Sequence, residues 1–238
     1  MKIDILAVGV HPDDVELGCG GTLAKEIENG KKIGILDLTL GELGTRGSAE
    51  IRKKEAARAA EILGVVFRHN LEFSDGFIVN NAASQLEIIK IIRKYRPEIV
   101  ICNAIEDRHP DHAKASKLTS DACFLSGLPK LETLYEGNNQ NAWRPRHVYH
   151  YIQWKNIEPD VVVDITGFLE KKLEAVFAFK SQFHNEDTEE PETPISSVNF
   201  KDSITYRAQD LGRLTGVKYA EGFTASRYIA VDSLFDLI

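Results

Sequence analysis

The sequence predicts an α/β protein, a Rossmann-like three-layer sandwich whose mostly parallel sheet is covered by helices on both faces. Three observations carry this expectation. Short apolar runs alternate with helical patterns through the first half of the chain. Several of those runs are apolar at consecutive rather than alternate positions, as in strands buried on both faces. Most of the noteworthy His, Asp and Arg residues fall just after such runs, where a parallel sheet gathers its ligands.

Taken in order, residues 3–10 read as the first strand and 15–29 as a helix ending at Gly30. Residues 33–39 form the second strand, and 50–63 an Ala-rich helix stopped by Gly64. A third strand covers 65–69, a helix 84–95 closes at Arg96-Pro97, a fourth strand spans 98–103 and a helix 112–125 follows. The second half is less regular, with strands expected at 148–154 and 161–165 and a helix at 167–179. Residues 181–202 hold Glu186, Asp187, Glu189, Glu190, Glu192, Pro191 and Pro194, the composition of a surface loop serving as a lid. A last helix is expected at 202–214 and a short last strand at 228–231. No repeat and no low-complexity linker divides the chain, so residues 1–238 read as one domain.

The 238 residues carry 29 Lys+Arg against 36 Asp+Glu, a net charge of -7. That balance argues against a nucleic-acid partner held by its phosphates. A 43% hydrophobic and 27% charged composition is that of a globular chain and excludes disorder, collagen and coiled coil. Cys19, Cys102 and Cys123 are widely spaced and form no CxxC pair, so they read as small buried hydrophobes. The apolar run up to Val10 contains Asp4, is too short to cross a membrane and lacks the form of a secretory signal. The expectation is a cytoplasmic protein with no membrane partner.

Gly18-Cys19-Gly20-Gly21 follows the first strand but has Leu23 where a dinucleotide fingerprint needs glycine, so close helix packing is the better reading. The chemistry lies in three other stretches. His11-Pro12-Asp13-Asp14 follows the first strand, Gly41-Glu42-Leu43-Gly44-Thr45-Arg46-Gly47 the second, and His109-Pro110-Asp111-His112 the fourth. His11, Asp14 and His112 form a three-ligand set that leaves a fourth position for water, the pattern of a catalytic metal site. Asp13, beside a ligand but pointing elsewhere, suits a general base. His109, kept protonated and oriented by a carboxylate at Asp111, suits stabilisation of an oxyanion or a leaving amine. The competing explanation is helix capping by Asp13, Asp14 or His109; two such motifs, each at a strand mouth, are poorly explained by capping alone.

These residues resemble the zinc-dependent sugar N-deacetylases of the PIG-L/LmbE-like family. The resemblance rests on the run from Val10 to Thr22 and on His109-Pro110-Asp111-His112, and extends from Ile3 to about Phe223. It implies the LmbE-like fold, His11, Asp14 and His112 as zinc ligands (Fe2+, Co2+ or Mn2+ being acceptable to the same donors), Asp13 as base, and His109 backed by Asp111. Glu42 to Gly47, Glu50-Ile51-Arg52, Asp107-Arg108, Trp143-Arg144-Pro145, Tyr149-His150-Tyr151 and Lys180-Ser181-Gln182-Phe183 extend it to the bacillithiol-pathway subgroup. That closer likeness implies removal of the acetyl group from N-acetyl-α-D-glucosaminyl L-malate, and homo-oligomers, hexamers included. Malate's two carboxylates point to Arg52, Arg108 and Arg46, with Glu42 accepting sugar hydroxyls. Where some relatives carry a lid tyrosine, this chain has Phe200, so Tyr206 or Tyr219 is the remaining hydroxyl candidate and Tyr219 reads more readily as core. His69, His147, His150 and His184 read as structural or surface residues; Trp143 and Trp154 have the rings to stack on a sugar, but core or subunit packing is the better reading. Either Asp13 or His109 returns the proton to the amine. Two rivals remain: a deacetylase of another glucosaminyl compound such as a chitooligosaccharide, and a non-catalytic metal- or sugar-binding module.

Overall fold

The computed structural model describes residues 1–183 and 190–236. The chain runs β1 (Ile5–Gly9), α1 (Asp14–Glu28), β2 (Ile33–Thr39), α2 (Ala49–Leu63), β3 (Phe67–Phe73), α3 (Ala82–Tyr95), β4 (Ile99–Cys102) and α4 (Pro110–Leu125). There follow a small hairpin of β5 (Leu134–Tyr135) and β6 (Asn138–Asn139), then β7 (His147–Tyr151), β8 (Val161–Asp164), α5 (Leu169–Phe177), α6 (Val198–Thr215) and β9 (Ala220–Ala225).

The main sheet has seven strands in the order β3-β2-β1-β4-β7-β9-β8. Its first five pair in parallel, and β9 alone runs antiparallel, to β7 on one side and β8 on the other. Alternation along the strand sorts β1 between two layers. Leu6 and Val8 join Ile88, Ile92 and Leu118 of α3 and α4, while Ile5 and Ala7 join Val15, Leu23 and Ala175 of α1 and α5. The expected three-layer sandwich is therefore present. Helix punctuation is local: Ser48 and Asn81 accept from the N–H of Ile51 and Ser84, and Gly64 closes α2 in the left-handed region at φ 86°. Gly18 has no room for a side chain, since a Cβ there would lie 2.2 Å from the Tyr151 ring. That is the close packing the glycine cluster suggested.

Three expectations need correction. The last strand is β9, not residues 228–231, which form no strand. Tyr228 is 101% exposed; its run is rich in β-formers but has no neighbour to pair with. The final helix starts at Val198 rather than 202, because Ser197 caps it by accepting from the Phe200 N–H. The expected 181–202 loop thus ends in helix, and its residues 184–189, His184 among them, lie outside the described residues. All three cysteines are free and buried. Among the described residues, no helix is long and apolar enough to cross a membrane.

Candidate active site

From β1 the chain passes to β2 on one side and later returns to β4 on the other, so the crevice beyond the C-terminal ends of β1 and β4 is a topological switch point. His11–Asp14 leave the end of β1 and Asn103–His112 the end of β4, which brings both motifs to one place. Asp14 is the centre. Its Oδ2 accepts from the His11 backbone N–H at 3.0 Å and from Asn103 Nδ2 at 3.0 Å. Its Oδ1 accepts from Gln153 Nε2 at 2.8 Å. His11 Nδ1 stands 3.5 Å from Oδ2 and His112 Nε2 3.3 Å from Oδ1.

The far nitrogen of each imidazole meets another carboxylate. His11 Nε2 is 2.9 Å from Asp75 Oδ1, and His112 Nδ1 is 2.5 Å from Asp107 Oδ2. These outer acids fix ring orientation as they do behind metal-bound histidines. Neither was assigned a role from the sequence. Asp107 stands just ahead of the second motif, but Asp75 lies in the turn after β3, a strand mouth with no His or Arg to mark it. Burial opposes the charge on His11, yet Asp14 and Asp75 raise its pKa to about 10. Burial also opposes the charge on Asp14, but His112 and His11 hold it far below the usual carboxylate range. Asp75 is held at about 2, burial being outweighed by His11.

Asp13 is buried in the same cavity with φ 125°, a left-handed conformation costly for a residue other than glycine. Its side chain makes no capping bond to α1. Arg52 Nη2 donates to Asp13 Oδ2 at 2.9 Å and to the Pro12 carbonyl at 2.5 Å, pinning the strained turn. Gly41 makes room for that arginine: a Cβ there would sit 2.0 Å from Arg52 Nη1. Burial pushes the Asp13 pKa up to about 7, with Arg52 opposing and Asp14 adding to the rise.

His109 caps α4, its Nδ1 accepting from the Asp111 N–H at 3.3 Å. The ring centroid is 4.7 Å from that of His11 and 5.0 Å from that of His112. The expected protonation of His109 by an Asp111 carboxylate is corrected. Asp111 supports it through backbone, its Oδ1 accepts from Lys114, and its buried Oδ2 has no hydrogen-bond partner. Burial, then the charges of His11 and His112, lower the His109 pKa, with the charges of Asp14 and Asp111 opposing in part.

The site opens into a cavity of about 640 Å³ whose far wall is α6. Trp154 is part of this wall and not of the core, which corrects the core-packing expectation for it; its ring stacks on Phe200 at 5.8 Å and lies under Arg108 at 4.5 Å. Trp143 does pack on the core, its Nε1–H donating to the Pro97 carbonyl at 2.7 Å. Tyr206 is 59% exposed and Tyr219 packs beside Ile165 and Ala208, so neither hydroxyl lines the cavity. Of the four residues expected at the substrate, Arg108 and Arg52 line the cavity, and Arg46 and Glu42 do not. Arg46 is buried against Glu190, and Glu42 accepts from the Asp75 N–H at 2.9 Å. The Arg52 guanidinium is engaged by Asp13, Pro12 and Gly41, while its buried Nε has no hydrogen-bond partner among the described residues.

Comparison with known proteins agrees with this geometry. The family described as PIG-L, GlcNAc-PI de-N-acetylase, matches residues 6–123, which include both motifs. The diacetylchitobiose deacetylase of Thermococcus kodakarensis is 32% identical over 92% of this chain and 81% of its own length. This chain belongs to the PIG-L family. The conserved protein TT1542 of Thermus thermophilus superposes with a TM-score of 0.85 at 36% identity, covering 97% of this chain and 98% of that one. A probable N-acetyl-alpha-D-glucosaminyl L-malate deacetylase 2 of Bacillus anthracis is 29% identical over 78% of this chain and 84% of its own length. The PIG-L chain described here is a carbohydrate N-deacetylase, a hydrolase of a metal-dependent family.

The residues fit such a metal. Asp75, Asp14 and Asp107 converge on the nitrogens of two histidines, a negative surplus with N and O donors suited to a divalent cation. His11, His109 and His112 also present ring nitrogens within 4.8 Å of one another.

Proposed function

We propose that this enzyme removes the N-acetyl group of N-acetyl-α-D-glucosaminyl L-malate, with zinc held by His11, Asp14 and His112. The observation that carries the substrate is Arg108. Its guanidinium lies on Trp154 beside the acidic centre and, among the described residues, has no carboxylate within ion-pair distance. Similarity to the Bacillus anthracis protein supports the same reading. The Trp154–Phe200 stack and the 32% identity to a diacetylchitobiose deacetylase favour a second reading, in which a neutral second sugar lies there.

His11, Asp14 and His112 would hold the metal, which would acidify a water and polarise the acetyl carbonyl. Asp13, held at the cavity by Arg52, takes the proton of the attacking water. His109 receives the Asp111 N–H at Nδ1, which leaves its proton on Nε2. That N–H then donates to the carbonyl oxygen as charge develops there. Asp13, having taken the proton of the water, returns it to the departing amine. Asp107 and Asp75 hold the two imidazoles in register.

We read residues 1–238 as one domain, the segment ahead of α6 as the lid, and the protein as a homo-oligomer. Its exposed Leu234 and Phe235 suit contact with another copy, and its three buried thiols suit a reducing cytoplasm.

The test is acetate release from the malate conjugate, N,N'-diacetylchitobiose and free N-acetylglucosamine, each with and without chelator. Chelator-sensitive turnover strongest on the malate conjugate is expected. Preference for diacetylchitobiose would transfer the assignment to the second reading, and no turnover with metal restored would overturn both.

A further inference from the structure

Arginines that reach the interior of this protein are nearly all matched. Arg52 has Asp13, Arg68 has Glu16 and Asp37, and Arg46 has Glu190. Arg93 donates to three carbonyls and the Thr133 hydroxyl. Arg207, half-buried on α6, differs. Phe200, Ser203 and Arg207 lie at helical spacing and all line the cavity, so α6 turns one face toward the catalytic rim. Arg207 Nη2 donates to the Trp154 carbonyl at 2.9 Å and stands 3.5 Å from Asn156 Oδ1. Both contacts use that one nitrogen. Among the described residues, Nε and Nη1 have no hydrogen-bond partner and no carboxylate lies within ion-pair distance of the guanidinium, Asp107 favouring its charge from farther off.

A guanidinium is always charged, and its planar fork matches a carboxylate by two parallel N–H bonds. One anchored nitrogen fixes the fork while the remaining edge stays free. The acidic centre of Asp13, Asp14 and Asp107 would repel an anion entering the same cavity. A cationic group on the opposite wall is what makes an anionic substrate acceptable.

We propose that Arg207 is a specificity-determining residue that receives a carboxylate carried by the substrate beyond its acetamido sugar. This rests on the deacetylase reading of the site, but only on the charge of the remainder and not on its being malate.

The test compares kcat and KM for N-acetylglucosaminyl malate, its uncharged dimethyl ester, and a second pair, N-acetylglucosaminyl glycolate and its methyl ester. The wild type is expected to prefer acids over esters. Arg207→Gln should lose about 10- to 100-fold in kcat/KM on the acid, mainly through KM, with the ester unchanged. Arg207→Lys should recover part of the loss. An equal fall on acid and ester would overturn the proposal and leave Arg207 as a support for Trp154, as would a wild type that does not distinguish acid from ester in either pair. An Arg207-dependent preference for glycolate over its ester, with the malate conjugate rejected, would refute the proposed substrate and uphold this inference.

Discussion

The rim built by β1 to β4 and the wall built by β7 and α6 meet across one cavity and are made differently. On the rim, polar atoms are interlocked: Asp14 accepts three hydrogen bonds, His11 and His112 are both backed by acids, and Asp13 is clamped by Arg52. Where the two meet, Arg108 reaches from the rim over the Trp154 ring and Arg207 of the wall donates to the Trp154 carbonyl, both with donors to spare. Chemistry needs groups that do not reorganise as charge develops. Recognition needs donors left free until a partner arrives. The contrast predicts that rim substitutions change kcat and wall substitutions change KM.

The largest break is expected at Asp13. Asp13→Asn should lower kcat by about 10²- to 10⁴-fold while the metal content stays at the wild-type level, since Asp13 is not among the proposed ligands. Metal analysis beside steady-state kinetics checks this; loss of metal in step with activity would make Asp13 a ligand instead. Arg52→Gln comes next. Breaking its buried pair with Asp13 should cost roughly 3–5 kcal/mol of stability and lower kcat on charged and neutral substrates alike. A selective rise in KM for carboxylate-bearing substrates would instead move Arg52 from the rim to the wall.

The rim was legible in the sequence because parallel strands are apolar runs and their exits carry concentrated His and Asp. Arg52 was visible as a charge, but its partner, 39 residues away, is set by tertiary packing. The wall was less legible for physical reasons. In β9, Glu221 interrupts the apolar pattern, yet it is buried because Lys172 and the N–H groups of Gly21 and Thr22 satisfy it. Residues 228–231 have strand composition without a strand, since pairing needs a neighbour. Trp154 reads the same whether it faces a core or a cavity, and only the position of α6 decides.

A smaller effect probes how the halves are joined. α1, which leaves the rim, packs its glycine face on β7, where Gly18 meets Tyr151. Gly18→Ala should destabilise by about 1–3 kcal/mol, because the Cβ must displace a fully buried ring whose hydroxyl donates to the Val8 carbonyl at 3.0 Å. Chemical denaturation measures this, and a variant as stable as wild type would show that the helix can shift without strain.

The smallest effect lies at the seam itself. His150 on β7 is buried between the two regions: Nδ1 faces the Asn103 carbonyl at 3.1 Å and Ser116 Oγ at 2.8 Å, and Nε2 faces Ser226 Oγ at 3.1 Å. Burial lowers its pKa, with the bond to Asn103 opposing in part. The folded state therefore binds fewer protons than the unfolded chain in the window just below the ordinary histidine value of about 6.5. Stability from this group is complete above that value and falls as the pH drops through it toward the folded pKa, by at most about 1.4 kcal/mol per pH unit. Thermal melts of wild type and His150→Asn between pH 8 and pH 5 should diverge in slope only in the acidic part, the variant being flatter. Parallel profiles would mean that the His150 pKa is the same in the folded and unfolded chain, and a divergence above about pH 6.5, the wild type losing stability as the pH rises, would mean that the ring is charged in the fold.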